Sequence, residues 1–223
     1  MYNIENDVKE LEMSVIKRFN TALFNIGIPS LEDSAVFYTS PFAIRFEIGG
    51  DEDIYISRLF NKTKINPLYV NEALNRVLTI LDDLPKDNWI IKIDFYNKKD
   101  INKTVKVFNL SKPNASVTNA YELDGDPFEY YELYWEIDNL DSFKEKLLKE
   151  IILSDIGGNL DLSSSVYLMN TEHNILFHLY DDRGLDVAAH ETNTIEHLYH
   201  KYNHWILDYD RDEIDEVFNE KDS

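Results

Sequence analysis

Two short segments near the C-terminal end hold the densest chemistry in this sequence. Asp181-Asp182-Arg183-Gly184 and Asp208-Tyr209-Asp210-Arg211 each set carboxylates beside an arginine. Paired carboxylates can hold a divalent cation or a partner's guanidinium. The same residues also make a hairpin turn, because Asp accepts backbone N–H groups and glycine supplies positive φ. Arg183 and Arg211 are the only arginines beyond residue 120. Each is expected to be enclosed by carboxylates, in bidentate pairs that tie the turn to the last helices. On this reading Asp181, Asp182, Arg183, Gly184, Asp186, Trp205, Asp208, Asp210 and Arg211 are structural or partner-binding residues, and none is catalytic.

All six histidines lie beyond residue 172. His197, His200 and His204 fall on a predicted helix within an arc of about 60°, opposite the Ile195/Leu198/Tyr202 stripe. His200 and His204, four apart, have the spacing of a metal pair. A working site also needs a recess and oriented supporting groups, which the middle of a polar helix face does not supply. The three are therefore weak metal candidates on an exposed face. His178 alternates with Phe177 and Leu179, which makes it a sheet-face residue. Ser163-Ser164-Ser165 precedes a strand without a glycine elbow and reads as a polar loop. No Gly-rich phosphate loop, dinucleotide fingerprint, zinc-protease motif or calcium loop is present. No cofactor is expected. The absence of cysteine excludes disulfides and thiol chemistry.

The elements that must position these groups follow from periodicity. Val8, Leu11, Val15, Phe19, Ala22 and Leu23 mark an amphipathic helix, with Pro29 just past its end. Ile44, Phe46 and Ile48 alternate with Arg45 and Glu47, a strand stopped by Gly49-Gly50. A helix is predicted from about Pro67 to Leu81, and strands at Trp89–Phe95 and Tyr131–Ile137. Val105 and Val107 suggest another strand after a polar turn at 97–100. Ser142 with Glu145, and Asp210 with Glu213, have capping-box spacing. Residues 166–169, 175–180 and 185–189 form a three-stranded antiparallel meander, and a helix over 194–207 follows. The fold class is α+β: an antiparallel or mixed sheet, including that meander, packed with amphipathic helices. One domain spans 1–223, with the polar stretch 109–126 as the boundary between sub-halves 1–120 and 121–223.

Charge separates those halves. The chain of 223 residues has a formal net charge of −20. Residues 1–120 carry 15 basic and 16 acidic side chains, whereas 121–223 carry 7 and 26. Such a field repels nucleic acid and anionic membranes and draws in basic partners. Met1–Asp7 has neither a basic flank nor an apolar run, so a signal peptide is not expected. No stretch reaches the ~18 apolar residues of a membrane span. A cytoplasmic protein is expected.

Tyr180-Asp181-Asp182-Arg183-Gly184 together with Trp205-Ile206-Leu207-Asp208-Tyr209-Asp210-Arg211 resembles an uncharacterised bacterial domain-of-unknown-function family bearing YDDRG and WI-x-DYDR motifs. The motif region is about 165–218, and Pro41–Glu47 is similar to an upstream element of longer members. The resemblance implies no reaction. It implies an immunity-type role by analogy with toxin–immunity gene clusters. The expected function is an acidic binding protein that neutralises a basic protein. The competing expectation is a divalent-metal-dependent hydrolase or nuclease using Asp181, Asp182, Asp208 or Asp210. Tyr121, Tyr130, Tyr131, Tyr134 and Trp135 are candidate interface anchors where exposed.

Overall fold

The structure, a computed structural model, describes residues 4–31, 35–58, 62–123 and 126–219. Residues 1–3 and the side chains of Val8 and Leu11 lie outside the described part. Helix α1 (Ile4–Asn25) buries Val15, Phe19, Ala22 and Leu23 at the three-and-four spacing of its sequence, and Gly27 at φ 81° turns the chain away. A short helix α2 (Val36–Thr39) leads into β1 (Ala43–Glu47). Strands β2 (Tyr55–Arg58) and β3 (Lys62–Ile65) form a separate ribbon. Helix α3 (Pro67–Asp82) opens with Pro67 in its first turn and the Asn66 side chain accepting from Leu68 N, the expected use of both residues.

The remaining elements are β4 (Trp89–Phe95), α4 (Lys98–Phe108), β5 (Ala115–Leu123), β6 (Asp126–Ile137), α5 (Lys144–Ile156), β7 (Val166–Asn170), β8 (Ile175–Leu179), β9 (Gly184–Ala189), α6 (Thr192–Lys201) and α7 (Arg211–Asn219). Seven strands make one antiparallel sheet in the order β1-β9-β8-β7-β4-β6-β5. The class is α+β, and the C-terminal meander β7-β8-β9 is at its centre. Strand β4 enters between β7 and β6, so strands from both sides of residue 120 alternate within one sheet. The acidic excess of 121–223 therefore defines no separate body. Its exposed carboxylates are spread over β6, α5, α7 and the turns between elements.

The two faces of this sheet differ. On one, Ile44, Val187, Phe177, Leu168, Ile91 and Trp135 run side by side, all buried. That row alone removes several large apolar side chains from water, each contributing about 1.5–3 kcal/mol. On the other face Arg45 stands opposite Asp186, Asp186 opposite His178, Tyr167 opposite Lys92, and Lys92 opposite Tyr134. His178 and Tyr167 close the row by stacking at 4.4 Å between ring centroids. A polar stripe thus crosses six adjacent strands. Helix α1 lies over β5, β6 and β7, and α2 over β1 and β9. Between them no described residue covers part of the stripe.

Four expectations need correction. Val105 and Val107 lie in α4: Ile101, Thr104, Val105 and Phe108 turn inward at helical spacing, and Asn97 caps the helix by accepting from Asp100 N. The segment 109–126 is not a boundary, because β5 occupies most of it and pairs along its length with β6. Neither capping box forms. Ser142 Oγ donates to Asn139 O, and Asp210 is drawn into the interior. Helix α6 stops at Lys201 and gives way to a 3-10 turn at Asn203–Trp205, so projecting Trp205 along a continuous helix misplaces it.

Candidate functional site

The uncovered stretch of the stripe is the floor of a chamber of about 530 Å³. Arg45, Asp186, His178, Tyr167 and Asp94 come from the sheet, Leu31, Ala35 and Val36 from the α2 side, and Ser163–Ser165 from the loop before β7. Tyr96, Tyr130 and Tyr180 complete the wall. Sequence alternation puts these groups on one face; strand register makes them neighbours.

Arg45 anchors one end. Its Nε donates to Asp186 Oδ1 at 2.7 Å and its Nη2 to Asp186 Oδ2 at 3.0 Å, a bidentate pair. Its Nη1 reaches Asp210 Oδ2 at 3.4 Å. The guanidinium lies 4.7–5.4 Å from the ring centres of Tyr38, Phe37 and Tyr180. Burial works against the guanidinium charge, but the hydrogen bonds and charge of Asp186 outweigh it and hold Arg45 firmly protonated. Asp186 also accepts from Phe37 N. Burial still pushes its carboxyl above the ordinary range, with Arg45 opposing.

Lys92 anchors the other end. Its Nζ donates to both oxygens of Asp94, at 2.5 and 2.7 Å, and lies 3.3 Å from Glu132 Oε2. The Tyr167 and Tyr130 rings face it at 5.3 and 5.9 Å. Burial raises the Asp94 carboxyl against the pull of Lys92. The Tyr130 hydroxyl, raised by burial and by Asp94, stays protonated as donor to that carboxylate.

Between the two anchors lies His178, 7% exposed. Neither ring nitrogen makes a hydrogen bond of good geometry among the described residues; the Ser164 backbone comes near enough only to oppose part of the effect of burial. Burial drives its pKa down to about 4, so the imidazole is neutral at physiological pH. Buried polar groups without partners are uncommon and costly, and those that persist call for a functional explanation.

The residues singled out from sequence scatter over several contacts. Asp181 Oδ1 accepts from the backbone N of Arg183 and Gly184, and Oδ2 takes Arg183 Nε and Nη2. Arg183 is thus clamped within its own turn, its side chain 70% exposed, and reaches no helix. Asp182 is buried and accepts from the Tyr69 hydroxyl. Gly184 is not at positive φ; glycine is required because a Cβ would overlap the Tyr180 hydroxyl. Arg211 bonds Asp208, itself 95% exposed, and the Asn203 and Ile206 carbonyls. Asp210 instead joins Arg45 and the Tyr38 hydroxyl. The fastener between meander and last helices is therefore Arg45 through Asp186 and Asp210, rather than Arg183 or Arg211. Trp205 is half-buried, its ring parallel to Tyr202 at 5.2 Å. Among the proposed anchors Tyr121 is exposed, whereas Tyr130, Tyr131, Tyr134 and Trp135 are buried.

His197, His200 and His204 are exposed, and no cluster of three or more metal-ligating side chains among the described residues includes them. One group among the described residues, Asp155, Asp181 and Asp182, brings three ligand oxygens within 4.8 Å of one another. Arg183 and Tyr69 already occupy two of its three carboxylates.

Sequence reading missed Arg45, Lys92 and Asp94 as site residues. Their signal was a charge at every second position of strongly apolar strands, which on a sheet buried on both faces places the charge inside.

The fold and site define an α+β protein with an all-antiparallel sheet and a polar, aromatic-walled chamber on one face. The chain belongs to the family described as Domain of unknown function (DUF3885), whose model matches residues 21–210. The match extends well beyond 165–218 and takes in the chamber. The chain is similar to "Uncharacterized protein YnaE" of Bacillus subtilis (strain 168), 43% identical over 44 residues. That alignment covers 20% of this chain and 21% of the other protein. No solved structure matches. Among the described residues no helix is long and apolar enough to cross a membrane.

Proposed function

We propose that this protein binds a basic protein partner through the face on which the chamber opens, and performs no chemistry on it. The observation that carries the reading is the neutral, unpartnered imidazole of His178 on the floor of an open chamber whose carboxylates are already engaged. General acid–base work requires a titratable group within reach of a reacting proton and poised near the working pH. His178 is poised near 4 and buried. Ser163 and Ser164 hydroxyls donate to Tyr180 O rather than to a base. Fixed donors, acceptors and ring faces suit recognition instead. Tyr96, 67% exposed, packs on Tyr130 at the mouth, and Tyr130 in turn meets Tyr121 on the β5–β6 hairpin. This aromatic strip offers contact area beside the chamber, and the net charge of −20 raises the rate at which a basic partner meets the protein. Neutralisation of a toxin domain is the cellular form of this reading that the family resemblance suggests.

The hydrolase reading needs Asp181, Asp182, Asp208 or Asp210 to converge in a cleft with oxygens free for a metal. Asp181 and Asp182 lie together beside Asp155 but are bonded by Arg183 and Tyr69, Asp208 is exposed beside Arg211, and Asp210 joins Arg45. The binding reading is tested by titrating a lysine- and arginine-rich peptide at low and high salt. Binding should weaken as salt rises and fall at least tenfold when Ala35→Trp plugs the mouth. Equal binding by the plugged variant would overturn it.

A further inference from the structure

We propose that the chamber takes one small organic cation, an alkylammonium or guanidinium group, seated over the His178–Tyr167 pair. The inference rests on the binding reading above and deepens it by naming the chemistry of what enters.

Charge balance points to this ligand. Arg45 faces two carboxylates, Asp186 and Asp210, and Lys92 faces two, Asp94 and Glu132. Each cluster holds one acid more than it has cations, and Asp94 and Asp186 line the chamber. An anion would meet this excess with no uncommitted cation among the described lining residues to receive it. The wall agrees. Aromatic faces carry negative quadrupole density that attracts cations, and the protein uses it twice: Tyr180 faces Arg45, and Tyr167 faces Lys92. Tyr96 and Tyr130 bring further ring surface to the chamber wall for a ligand between the two anchors. The independent sign of a missing ligand is His178. It is more than nine-tenths buried, lines the chamber and leaves both ring nitrogens unpartnered. Both nitrogens are shielded from solvent, and as a neutral imidazole the ring keeps a lone pair for an N–H donor that displaces the side chains around it.

The cation can be a free amine or the side chain of a basic partner, and one experiment separates these. The full-length protein is titrated with n-butylammonium, methylguanidinium, butyrate, inorganic phosphate and 1-butanol, and with a short lysine-containing peptide. The assigned ring resonances of His178 are the readout. The two cations should shift them saturably, and the other small probes should not. Tighter binding by the peptide than by butylammonium identifies a partner's side chain; equal or weaker binding identifies a free amine. Ala35 is exposed and lines the mouth, so Ala35→Lys and Ala35→Glu alter charge without touching the core. Ala35→Lys should weaken the cations roughly tenfold at a separation of several ångströms, and Ala35→Glu should not weaken them. Equal weakening by both variants, or shifts with butyrate or phosphate instead, overturns the cation and leaves a binding chamber. No shift with any probe overturns the chamber as well.

Discussion

Replacing His178 with phenylalanine should stabilise this protein, an unusual outcome for a fully buried position. Phenylalanine keeps the ring face that stacks on Tyr167 at 4.4 Å and 19°. It removes two nitrogens that have no partner. An unsatisfied buried polar group costs about 1–3 kcal/mol, so a gain of about 1–3 kcal/mol is expected at pH 7, less whatever the larger ring loses to crowding. The pH dependence sharpens the test. The imidazole has a pKa of about 4 when folded, against about 6.5 for a solvated imidazole in the unfolded chain. Between those values the unfolded chain binds a proton that the folded chain refuses, so the stability of the native sequence falls as pH drops from about 6.5 to about 4. The loss is about 1.4 kcal/mol per pH unit. The phenylalanine variant lacks this loss, so its advantage should widen by about 2 kcal/mol between pH 7 and pH 5. Urea unfolding followed by tryptophan fluorescence at both values measures it. A variant less stable at pH 7, with a gap that does not widen at pH 5, would show that the imidazole is hydrogen-bonded and titrates normally, and the chamber would lose its central argument.

Arg45→Met leaves Asp186 and Asp210 buried without their cation and should cost about 3–5 kcal/mol in urea unfolding. Arg45→Lys should recover part of that loss, since it restores the charge but not the fork. Trp205→Ala should cost about 1–2 kcal/mol, below the ~3–5 kcal/mol of a fully buried aromatic, because Trp205 is half-buried and its main packing partner is Tyr202; a thermal melt measures it. Gly184→Ala should push Tyr180 out of the chamber wall, lowering stability by about 1–3 kcal/mol and removing any shift of the His178 resonances on cation binding.

Much of the framework was legible in the sequence. The meander, α3 and β4 follow from alternation, helical spacing and Pro67, because burial on a regular element leaves a regular trace. Helix α4 was not legible, since Val105 and Val107 mimic a strand's alternation while the inward residues Thr104 and Phe108 include a polar one. The site was half legible. Asp186 and Asp210 stood out by charge, but their partner Arg45 is 141 and 165 residues away, and no local pattern encodes a contact at that range. Lys92 and Asp94 looked like the solvent side of a half-covered strand. They are interior because β7 and β6 flank β4 within the sheet and helix α1 lies over those neighbouring strands, a tertiary fact that alternation alone does not carry.

The place of β1 has a consequence for how the chain matures. The ladder partner of β1 in the sheet is β9, and Phe46 adds a single bridge to Ile206; β9 leaves the ribosome some 140 residues later. Until then Arg45 has none of its carboxylates, and the apolar side of β1 has no sheet to join. During synthesis the amino-terminal segment must wait, open to proteases and chaperones, and the long-range pairing that completes the sheet is a slow event. Nascent chains halted shortly before residue 184 should therefore be protease-sensitive around residues 43–47, and those extended past residue 210 should be protected.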